Sequence, residues 1–543
     1  MPANLVNLDA LVLREDFEVA SDEIATAGQL VQTLSVSELE DGTLWSAMLR
    51  KPDFQRETAD WDPEKVAGLV RSFLEGDLIP SVILWRSQSS GNVFVIDGAH
   101  RLSALKAWVL DDYGDKQSSI EFFADLIPEE QRGAAEKTRK LIQDQIGSYQ
   151  SLKTALRNPG VGAPERLRLA KNLGVNAIHL EWVTGEAAKA EKSFFTINQK
   201  AAFIDATELE MLQARRKPNA LATRAFIRAG TGHKYWSSFT PTVQAEIEKI
   251  AREVYEGLFR PTLETPIKTT DLPVAGRGYS AGSVKMVFEL VNFLNGPRPD
   301  GGREVRKGRR AEPIESVPDD QDGSETIRYM QTVRKAAQLI SGQAPGSLGL
   351  SPIVYFYSAT GRFQPTAYLA AIAFARELQD RKRLDEFTSS RERFEEFLVR
   401  HKSYINQVVR KYGSLRRGLG ALLNLYRLVL SGISADHSDS EIIRALTGDP
   451  QLQFLSDQEE PKTKRQDFSG ETKSAAYLRK AIESALRCNI CHARLHGKSI
   501  TIDHDRPKEE GGLGNLENAQ LTHPYCNTGF KERERSRRKA EVR

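Results

Sequence analysis

The stretch CNICHARLHGKSITIDHDRPKEEGG, residues 488–512, contains two of the three cysteines of this 543-residue chain. The third, Cys526, lies in THPYCN, where His523 precedes it with the same two-residue gap that separates Cys488 from Cys491. Three thiolates and an imidazole form a complete tetrahedral ligand set for Zn²⁺. We therefore expect these four residues to form a closed, structural zinc site that helps to fold a module too small for a large apolar core.

The overall composition is that of a globular protein, with 40% hydrophobic residues, 27% charged residues and a net charge of +3. Residues 478–543 contain 14 Lys and Arg against 9 Asp and Glu, a local charge of +5 that favours a phosphate-bearing partner. The N-terminus lacks the pattern of a signal peptide, and no apolar run reaches the roughly 18 residues that span a bilayer. We expect a cytoplasmic protein with no membrane partner, whose clustered cysteines bind metal.

The sequence suggests a multidomain α+β fold. Two polar stretches with Gly and Pro, 296–325 and 456–474, are predicted to be linkers or long surface loops. They outline an N-terminal α/β domain with a helical extension (1–230), a mostly helical middle domain (231–455) and a C-terminal domain (475–543). Strands are predicted at 81–85 and 92–96, and a helix at 63–76. Further helices are predicted from Pro365 and across 414–433.

Between the two pairs of zinc ligands, the sequence resembles the HNH nucleases of the ββα-metal class. The residues that carry this pattern are Asp503, His504, Pro507, Gly511, Gly512 and Asn518, followed by His523, Cys526 and Asn527. His523 stands where the family usually has a cysteine, and Asp505 where it usually has an apolar residue. The resemblance implies a C-terminal, zinc-stapled ββα-metal domain of about 50 residues.

The resemblance also implies catalytic roles. His504 is expected to be the general base, because imidazole can take a proton from water near neutral pH. Asp503 and the amide oxygen of Asn527 are expected to hold a catalytic Mg²⁺ or Mn²⁺ ion. Asn518 either orients His504 or pins its loop, with an ordinary turn asparagine as the alternative. The tail 531–539 is expected to hold DNA phosphates, or to be a solvated helix end with Glu–Arg pairs.

A second pattern, NVFVIDGAHRLSALKAW, indicates a strand, a turn and a helix whose N-terminus could hold an anion, although many such junctions bind nothing. With the flanking segments DFQRETADW and FFTINQKAAFIDATEL, it is similar to the ParB/sulfiredoxin-like domain marked by Asp-Gly-Gln-His-Arg or Asp-Gly-Gln-Gln-Arg. That domain occurs in GmrSD-type restriction systems and in DndB-like proteins of phosphorothioate systems. Here Ala99 replaces the first glutamine. The residues that the resemblance marks for nucleotide binding are Gln55, Arg56, Asp97, Gly98, His100, Arg101 and Asn198.

Together the two resemblances imply a DNA endonuclease of an anti-phage or restriction system. Its N-terminal domain would sense modified DNA, a nucleoside triphosphate or both. The alternative is a DNA-binding regulatory protein whose zinc module only anchors DNA, but such a module has no need for Asp-His and Asn at metal-binding spacing. A P-loop motor is disfavoured because no Gly-x4-Gly-Lys-Ser/Thr loop is present. A homo-oligomer and partner proteins from a DNA-modification or defence operon are further expectations.

Overall fold

The structure is a computed structural model that describes residues 5–17, 30–55, 57–59, 61–87, 89–124, 126–158, 164–201, 206–278, 280–296, 317–413, 415–457 and 467–541. The chain forms two compact units, one of residues 1–244 with 310–323 and one of residues 245–309 with 324–543. Most of the predicted linker 296–325, and residues 458–466 of the predicted linker 456–474, lie outside the described residues. The domain boundaries inferred from the sequence remain predictions.

A six-stranded mixed sheet forms the centre of the first unit. Its strands are β1 (Arg14–Glu15), β2 (Thr33–Ser35), β3 (Leu49–Pro52), β4 (Val82–Arg86), β5 (Val93–Asp97) and β6 (Ala177–Trp182), in the order β1-β3-β5-β4-β6-β2. The β1–β3, β3–β5 and β4–β6 pairs are parallel, and β4–β5 and β2–β6 are antiparallel. The two strands predicted from the sequence are β4 and β5, each displaced by one residue.

Ten helices follow or cover this sheet within the described residues. They are α1 (Leu44–Met48), α2 (Pro63–Glu75), α3 (Ala99–Leu110), α4 (Gln117–Phe123), α5 (Glu129–Gln145), α6 (Tyr149–Arg157), α7 (Pro164–Leu173), α8 (Ala187–Ala201), α9 (Ala206–Gln213) and α10 (Pro218–Ile227). The predicted helix α2 begins where Asp62 accepts a hydrogen bond from the amide of Lys65 at 2.8 Å. It ends at Gly76, whose φ of 80° is a left-handed cap that glycine adopts readily.

Helix α3 packs its apolar side into the core of the first unit. Leu102, Leu105 and Trp108, which the sequence assigned to the core, are buried in one cluster with side chains of β4, β5 and α2. This packing fixes the start of α3, and with it the Asp97-Gly98 turn, at the end of strand β5. The turn is therefore held between strand β5 and the buried helix α3.

The second unit is mainly helical. Helix α11 (Pro241–Phe259) begins just before its boundary and is followed by α12 (Ala281–Asn295), α13 (Ser324–Ile340), α14 (Pro352–Tyr355), α15 (Pro365–Asp380), α16 (Leu384–Arg400), α17 (Ser403–Tyr412), α18 (Leu415–Ser434), α19 (Asp439–Gly448) and α20 (Gly470–Glu483). The predicted starts at Pro365 and near residue 414 are confirmed. Helix α15 is largely buried, with 11 of its 16 residues in the interior, as expected for core packing. None of the described helices is both long and apolar enough to cross a bilayer.

The C-terminal module lies in this second unit. It consists of the antiparallel hairpin β7 (Thr501–His504) and β8 (Ala519–Thr522), a π-helical turn at Cys526–Phe530, and helix α21 (Lys531–Glu541). Hydrogen bonds join it to the segment between α13 and α14: the amide of Tyr525 donates to the carbonyl of Ser347 at 2.9 Å, and the amide of Gly342 donates to Oγ of Ser499 at 2.8 Å. The module is thus packed against the helical part of the unit.

Candidate metal centre and nuclease site

The four predicted zinc ligands lie together in the C-terminal module. One ligand atom from each of Cys488, Cys491, His523 and Cys526 lies within 4.8 Å of the other three, and all four side chains are buried. Nδ1 of His523 lies 3.4 Å from the sulfur of Cys491 and 3.8 Å from that of Cys526. A tetrahedral Zn²⁺ with its usual bond lengths separates such atoms by about 3.5 Å. The donor set and its spacing therefore fit a structural zinc ion.

A tight turn presents the first two cysteines. The amide of Cys488 donates to the carbonyl of Ala493, and the amide of His492 donates to the carbonyl of Cys488, both at 2.9 Å. His492 adopts a left-handed φ of 56° at the tip of this turn. An isolated bridge between Arg487 and Arg494 closes its base. The sulfurs are consequently held on one side of a short, hydrogen-bonded loop.

A hydrogen bond on the side of the ring away from the sulfurs fixes the orientation of His523. Its Nε2 donates to the carbonyl oxygen of Arg494 at 3.1 Å, which leaves the unprotonated Nδ1 facing the sulfurs. Burial, reinforced by the charge of Arg391, lowers the pKa of His523. The imidazole is therefore neutral, which is the form that binds a metal.

Hydrogen bonds among the three sulfurs shift the pKa values of the cysteines in opposite directions. Bonds from Cys491 and Cys526 lower the pKa of Cys488. The bond to Cys488 raises the pKa of Cys491 to about 12 and that of Cys526 well above its ordinary value. Binding of a metal by all three sulfurs therefore requires the thiol protons to leave.

Asp503 lies on strand β7 with both carboxylate oxygens engaged. Oδ1 accepts a hydrogen bond from the amide of His504 at 2.8 Å. Oδ2 accepts from Nε2 of Gln520 at 3.0 Å and pairs with Nζ of Lys531 at 2.6 Å. Lys531 also donates to the carbonyl oxygen of His504. The ammonium group therefore contacts two oxygens of the kind that a hard divalent cation prefers.

Asn527 approaches β7 on the side that carries Asp503. Its side-chain amide donates to Oγ1 of Thr501 at 3.4 Å, and Thr501 shares a face with Asp503 because alternate residues of a strand point the same way. His504 ends the strand and is half-buried. The hydrogen bonds of His504 within the described chain involve only its backbone. The structure thus brings three of the four proposed catalytic residues, Asp503, His504 and Asn527, to one strand and its neighbouring turn.

Asn518 pins the loop that follows His504. Its Oδ1 accepts from the amide of Arg506 at 2.7 Å, and its Nδ2 donates to the carbonyls of Arg506 at 3.0 Å and Leu513 at 2.8 Å. Gly512 completes the loop: a Cβ atom there would lie 1.8 Å from the carbonyl oxygen of Arg506. Of the two roles considered for Asn518, these contacts match the loop-pinning one.

Sequence reasoning missed several residues that support the site. Gln520 binds Asp503, and Asp385 on α16 accepts hydrogen bonds from Tyr525 at 2.8 Å and from Arg533 at 2.7 Å. Asp385 is distant in sequence, so no local pattern could have indicated this contact. Gln520 could have been found from the hairpin register, which places it opposite Asp503.

The first unit gathers most of its predicted site residues around the turn between β5 and α3. Gly98 has a φ of 94°, and a Cβ there would lie 2.9 Å from Cγ2 of Val82, so only glycine fits comfortably. Arg101 pairs with Asp97 at 2.8 Å and donates to the carbonyl of Ser81 at 3.1 Å. The guanidinium group is thereby held beside the start of the helix.

Two further residues of this set lie nearby. The side-chain amide of Gln55 donates to the backbone carbonyls of Val95 at 2.6 Å and Ile96 at 3.3 Å. The ring of His100 stacks on Trp61 with 5.8 Å between centroids. Gln55 and His100 are therefore both attached to the β5–α3 junction. Arg56 and the side chain of Asn198 lie outside the described residues.

Comparisons with known families match these two regions. Residues 36–212 match the family described as the GmrSD restriction endonuclease, N-terminal domain, and residues 488–532 match the HNH endonuclease family. No curated protein and no solved structure gives a match.

The hairpin, the Cys3His cluster and the HNH match define the class of protein: a nuclease that hydrolyses phosphodiester bonds. The N-terminal match adds the second part. With a GmrSD N-terminal domain and a C-terminal HNH domain, the chain has the architecture of a GmrSD-type nuclease of a restriction system.

Proposed function

We propose that this nuclease is a divalent-metal-dependent DNA endonuclease, and that its N-terminal unit controls cutting by sensing modified DNA, a nucleoside triphosphate or both. The observation that supports the cutting site most directly is the end of β7. Asp503 and His504 are adjacent there, and Asn527 contacts the same strand from the turn that begins at the zinc ligand Cys526. In this proposal Zn²⁺ is structural, and Mg²⁺ or Mn²⁺ is catalytic.

The roles follow from what phosphodiester hydrolysis requires. His504 accepts the proton of the attacking water, because its imidazole has no hydrogen-bond partner in the described chain and lies at an accessible strand end. Asp503 and Asn527 supply oxygen ligands for the divalent ion. When bound, that ion supplies positive charge that stabilises the phosphate and the departing oxygen. Asn518 holds the loop after His504 in place.

DNA phosphates are proposed to bind around the same strand end. Arg506 and Lys508 lie exposed in the loop that follows His504. In helix α21, Arg533 pairs with Asp385 and Arg535 pairs with Glu510, so these two cations are already engaged. The side chains of residues 537–540 lie outside the described residues. Phosphate contacts from the loop would position the backbone without reading bases.

The test of the cutting site is plasmid cleavage with Mg²⁺ by the native chain, by His504→Ala and by a control, His437→Ala. His437 is an exposed histidine of the same unit. We expect His504→Ala to cut slower by about 10² to 10⁴-fold, the usual contribution of a general base, and the control to cut at the native rate. Cleavage by His504→Ala at the native rate would contradict the proposed role of His504 and the cutting site built around it.

The control function requires a separate experiment. The native chain is offered unmodified, methylated, glucosylated and phosphorothioated plasmid, each with and without ATP, GTP or CTP, and both nicking and phosphate release are measured. We expect the cleavage rate to depend on the modification, on the nucleotide or on both. Equal rates on all substrates, with no response to nucleotide, would contradict control by the N-terminal unit. Because one HNH centre cuts one strand, linear product would additionally indicate either a homo-oligomer or a second cutting event.

A further inference from the structure

An ion pair lies in the interior of the second unit, outside the zinc module. Nε of Arg391 and Oε1 of Glu395, one turn apart on α16, are 2.9 Å apart, and both side chains are at most 1% exposed. Withdrawing two charges from water costs several kcal/mol, about as much as their attraction returns. The role of such a pair is therefore to be sought in the other hydrogen bonds that its guanidinium and carboxylate groups make.

The guanidinium group of Arg391 holds the turn against which the zinc-ligand imidazole packs. It donates to the carbonyls of Leu348 and Gly349, the latter at 3.1 Å. Gly349 has a φ of 57°, and a Cβ there would lie 2.9 Å from Cδ2 of His523. A side chain at this position would displace the ring, so Arg391 supports a surface that touches the metal ligand directly.

The carboxylate of Glu395 is linked to the same imidazole through the backbone of one residue, Arg494. Its Oε2 accepts a hydrogen bond from the amide of Arg494 at 2.9 Å. The carbonyl of Arg494 in turn accepts from Nε2 of His523 at 3.1 Å. This chain of two hydrogen bonds fixes which nitrogen of His523 carries the proton, and it leaves Nδ1 for the metal.

The charges are complementary as well. Three thiolates and a neutral imidazole around Zn²⁺ carry a net charge of about −1, and Arg391 is a buried cation beside them. Although burial opposes it, the charge of Glu395 raises the pKa of Arg391. The guanidinium group thus remains charged next to the metal–thiolate cluster.

We propose that Arg391 and Glu395, on a helix outside the HNH module, are positioning residues for the Cys3His site, so that retention of zinc depends on the helical part of the unit. This inference rests on the zinc assignment made above, but not on nuclease activity. A zinc module held only by its own four ligands would release the metal at a rate independent of α16.

The experiment measures zinc release from the full-length, zinc-loaded protein to an excess of a chromophoric chelator. We expect Glu395→Gln to release zinc roughly 10- to 100-fold faster, because changing an outer partner of a metal ligand weakens metal affinity by about that factor. Glu396→Gln is the matched control, because Glu396 also contacts the module, through the side chains of Arg487 and Arg494 at 2.7 and 3.0 Å. We expect the control to stay within about threefold of the parent.

If Glu395→Gln does not fold, the variant Arg391→Lys and the absorption spectrum of the Co²⁺-substituted protein still test the inference. Arg391→Lys keeps the buried charge but loses the fork that holds two carbonyls, and we expect faster release together with an altered thiolate-to-metal absorption band in the Co²⁺-substituted protein. Release at the parent rate from both Glu395→Gln and Arg391→Lys, or equal acceleration by Glu396→Gln, would overturn the inference. Absence of stoichiometric zinc in the parent would instead overturn the zinc assignment itself.

Discussion

The ammonium group of Lys531 lies against Asp503 and the carbonyl of His504, the two oxygen-bearing groups at the start of the proposed cutting site. Side chains of both Lys531 and Asp503 are largely buried, 15% and 12% exposed, so the pair is weakly screened by solvent. A divalent ion bound to Asp503 therefore competes with a cation that belongs to the chain.

At the residue scale, we predict that Lys531→Met binds Mn²⁺ more tightly than the native chain in the absence of DNA. Removing a partly buried competing charge worth about 1 kcal/mol lowers the Kd for Mn²⁺ by about fivefold. Electron paramagnetic resonance of free Mn²⁺ measures this directly, without any cleavage reaction. Nuclease activity is expected to respond differently, because Lys531 also becomes available to DNA phosphates once the ion is bound.

Arg535→Met serves as the control for this prediction. Arg535 lies one turn further along α21 and pairs with Glu510 at 3.2 Å, away from Asp503. We expect it to leave the Mn²⁺ affinity unchanged. If Lys531→Met binds Mn²⁺ like the native chain while Asp503→Asn binds none, then Asp503 is a ligand but Lys531 does not compete.

Local sequence was sufficient for the zinc ligands but not for the surroundings of the proposed cutting site. Cys488 and Cys491 were identifiable because a knuckle needs its two sulfurs at fixed spacing, whereas Asp503 and His504 were marked by their resemblance to the HNH pattern, and their catalytic roles stay predictions. The pairing of Lys531 with Asp503 depends on how the start of α21 lies beside β7. That packing follows from tertiary contacts, which spacing along the chain does not encode.

At the element scale, helices were predicted well where caps and apolar periodicity coincide, as at Pro63 and Pro365. How they assemble could not be predicted from local patterns. The C-terminal module was expected as a domain after a linker, and that boundary stays a prediction; in the structure the module contacts α16 and the turn at 342–349. The contacts responsible are single charged or polar residues, such as Asp385, which are indistinguishable in sequence from ordinary surface positions.

Lys402, between α16 and α17, has an ammonium group with an unusually low pKa. Lys402 is buried and donates to the carbonyls of Ile353 and Val354, the latter at 3.0 Å. Burial, with a smaller contribution from Arg494, lowers its pKa from 10.5 to about 7. Between these two values the unfolded chain holds a proton that the folded chain has released, so stability rises with pH.

We therefore predict that the second unit becomes more stable from about pH 7 to about pH 9, by roughly 1 kcal/mol per pH unit. Lys402→Met is expected to remove this slope, whatever its effect on stability at a single pH. Urea unfolding followed by far-UV circular dichroism at several pH values provides the measurement. Lys411→Met, which changes an exposed lysine of α17, should retain the slope; a slope that persists in Lys402→Met would show that another group causes it.

At the scale of the whole molecule, the two compact units differ in their tryptophan content, so the first unit can be observed separately by fluorescence. All six tryptophans lie between residues 45 and 236, in the first unit. The proposed nucleotide site at the β5–α3 turn lies in that unit, and the Cys3His cluster lies in the other. Tryptophan fluorescence therefore follows only the unit proposed to sense, whereas circular dichroism follows the helices of both.

We predict that the two proposed ligands shift different transitions in thermal unfolding. Removing zinc with a chelator should lower the circular dichroism transition of the second unit, because a structural metal contributes its binding energy to folding, and should leave the tryptophan transition in place. A saturating nucleoside triphosphate should raise the tryptophan transition, by about 2.7 kcal/mol of added stability at a concentration 100 times its Kd. A chelator that shifts both transitions equally would place the effect of zinc beyond its own unit, and a nucleotide that shifts neither would exclude the β5–α3 turn as its site.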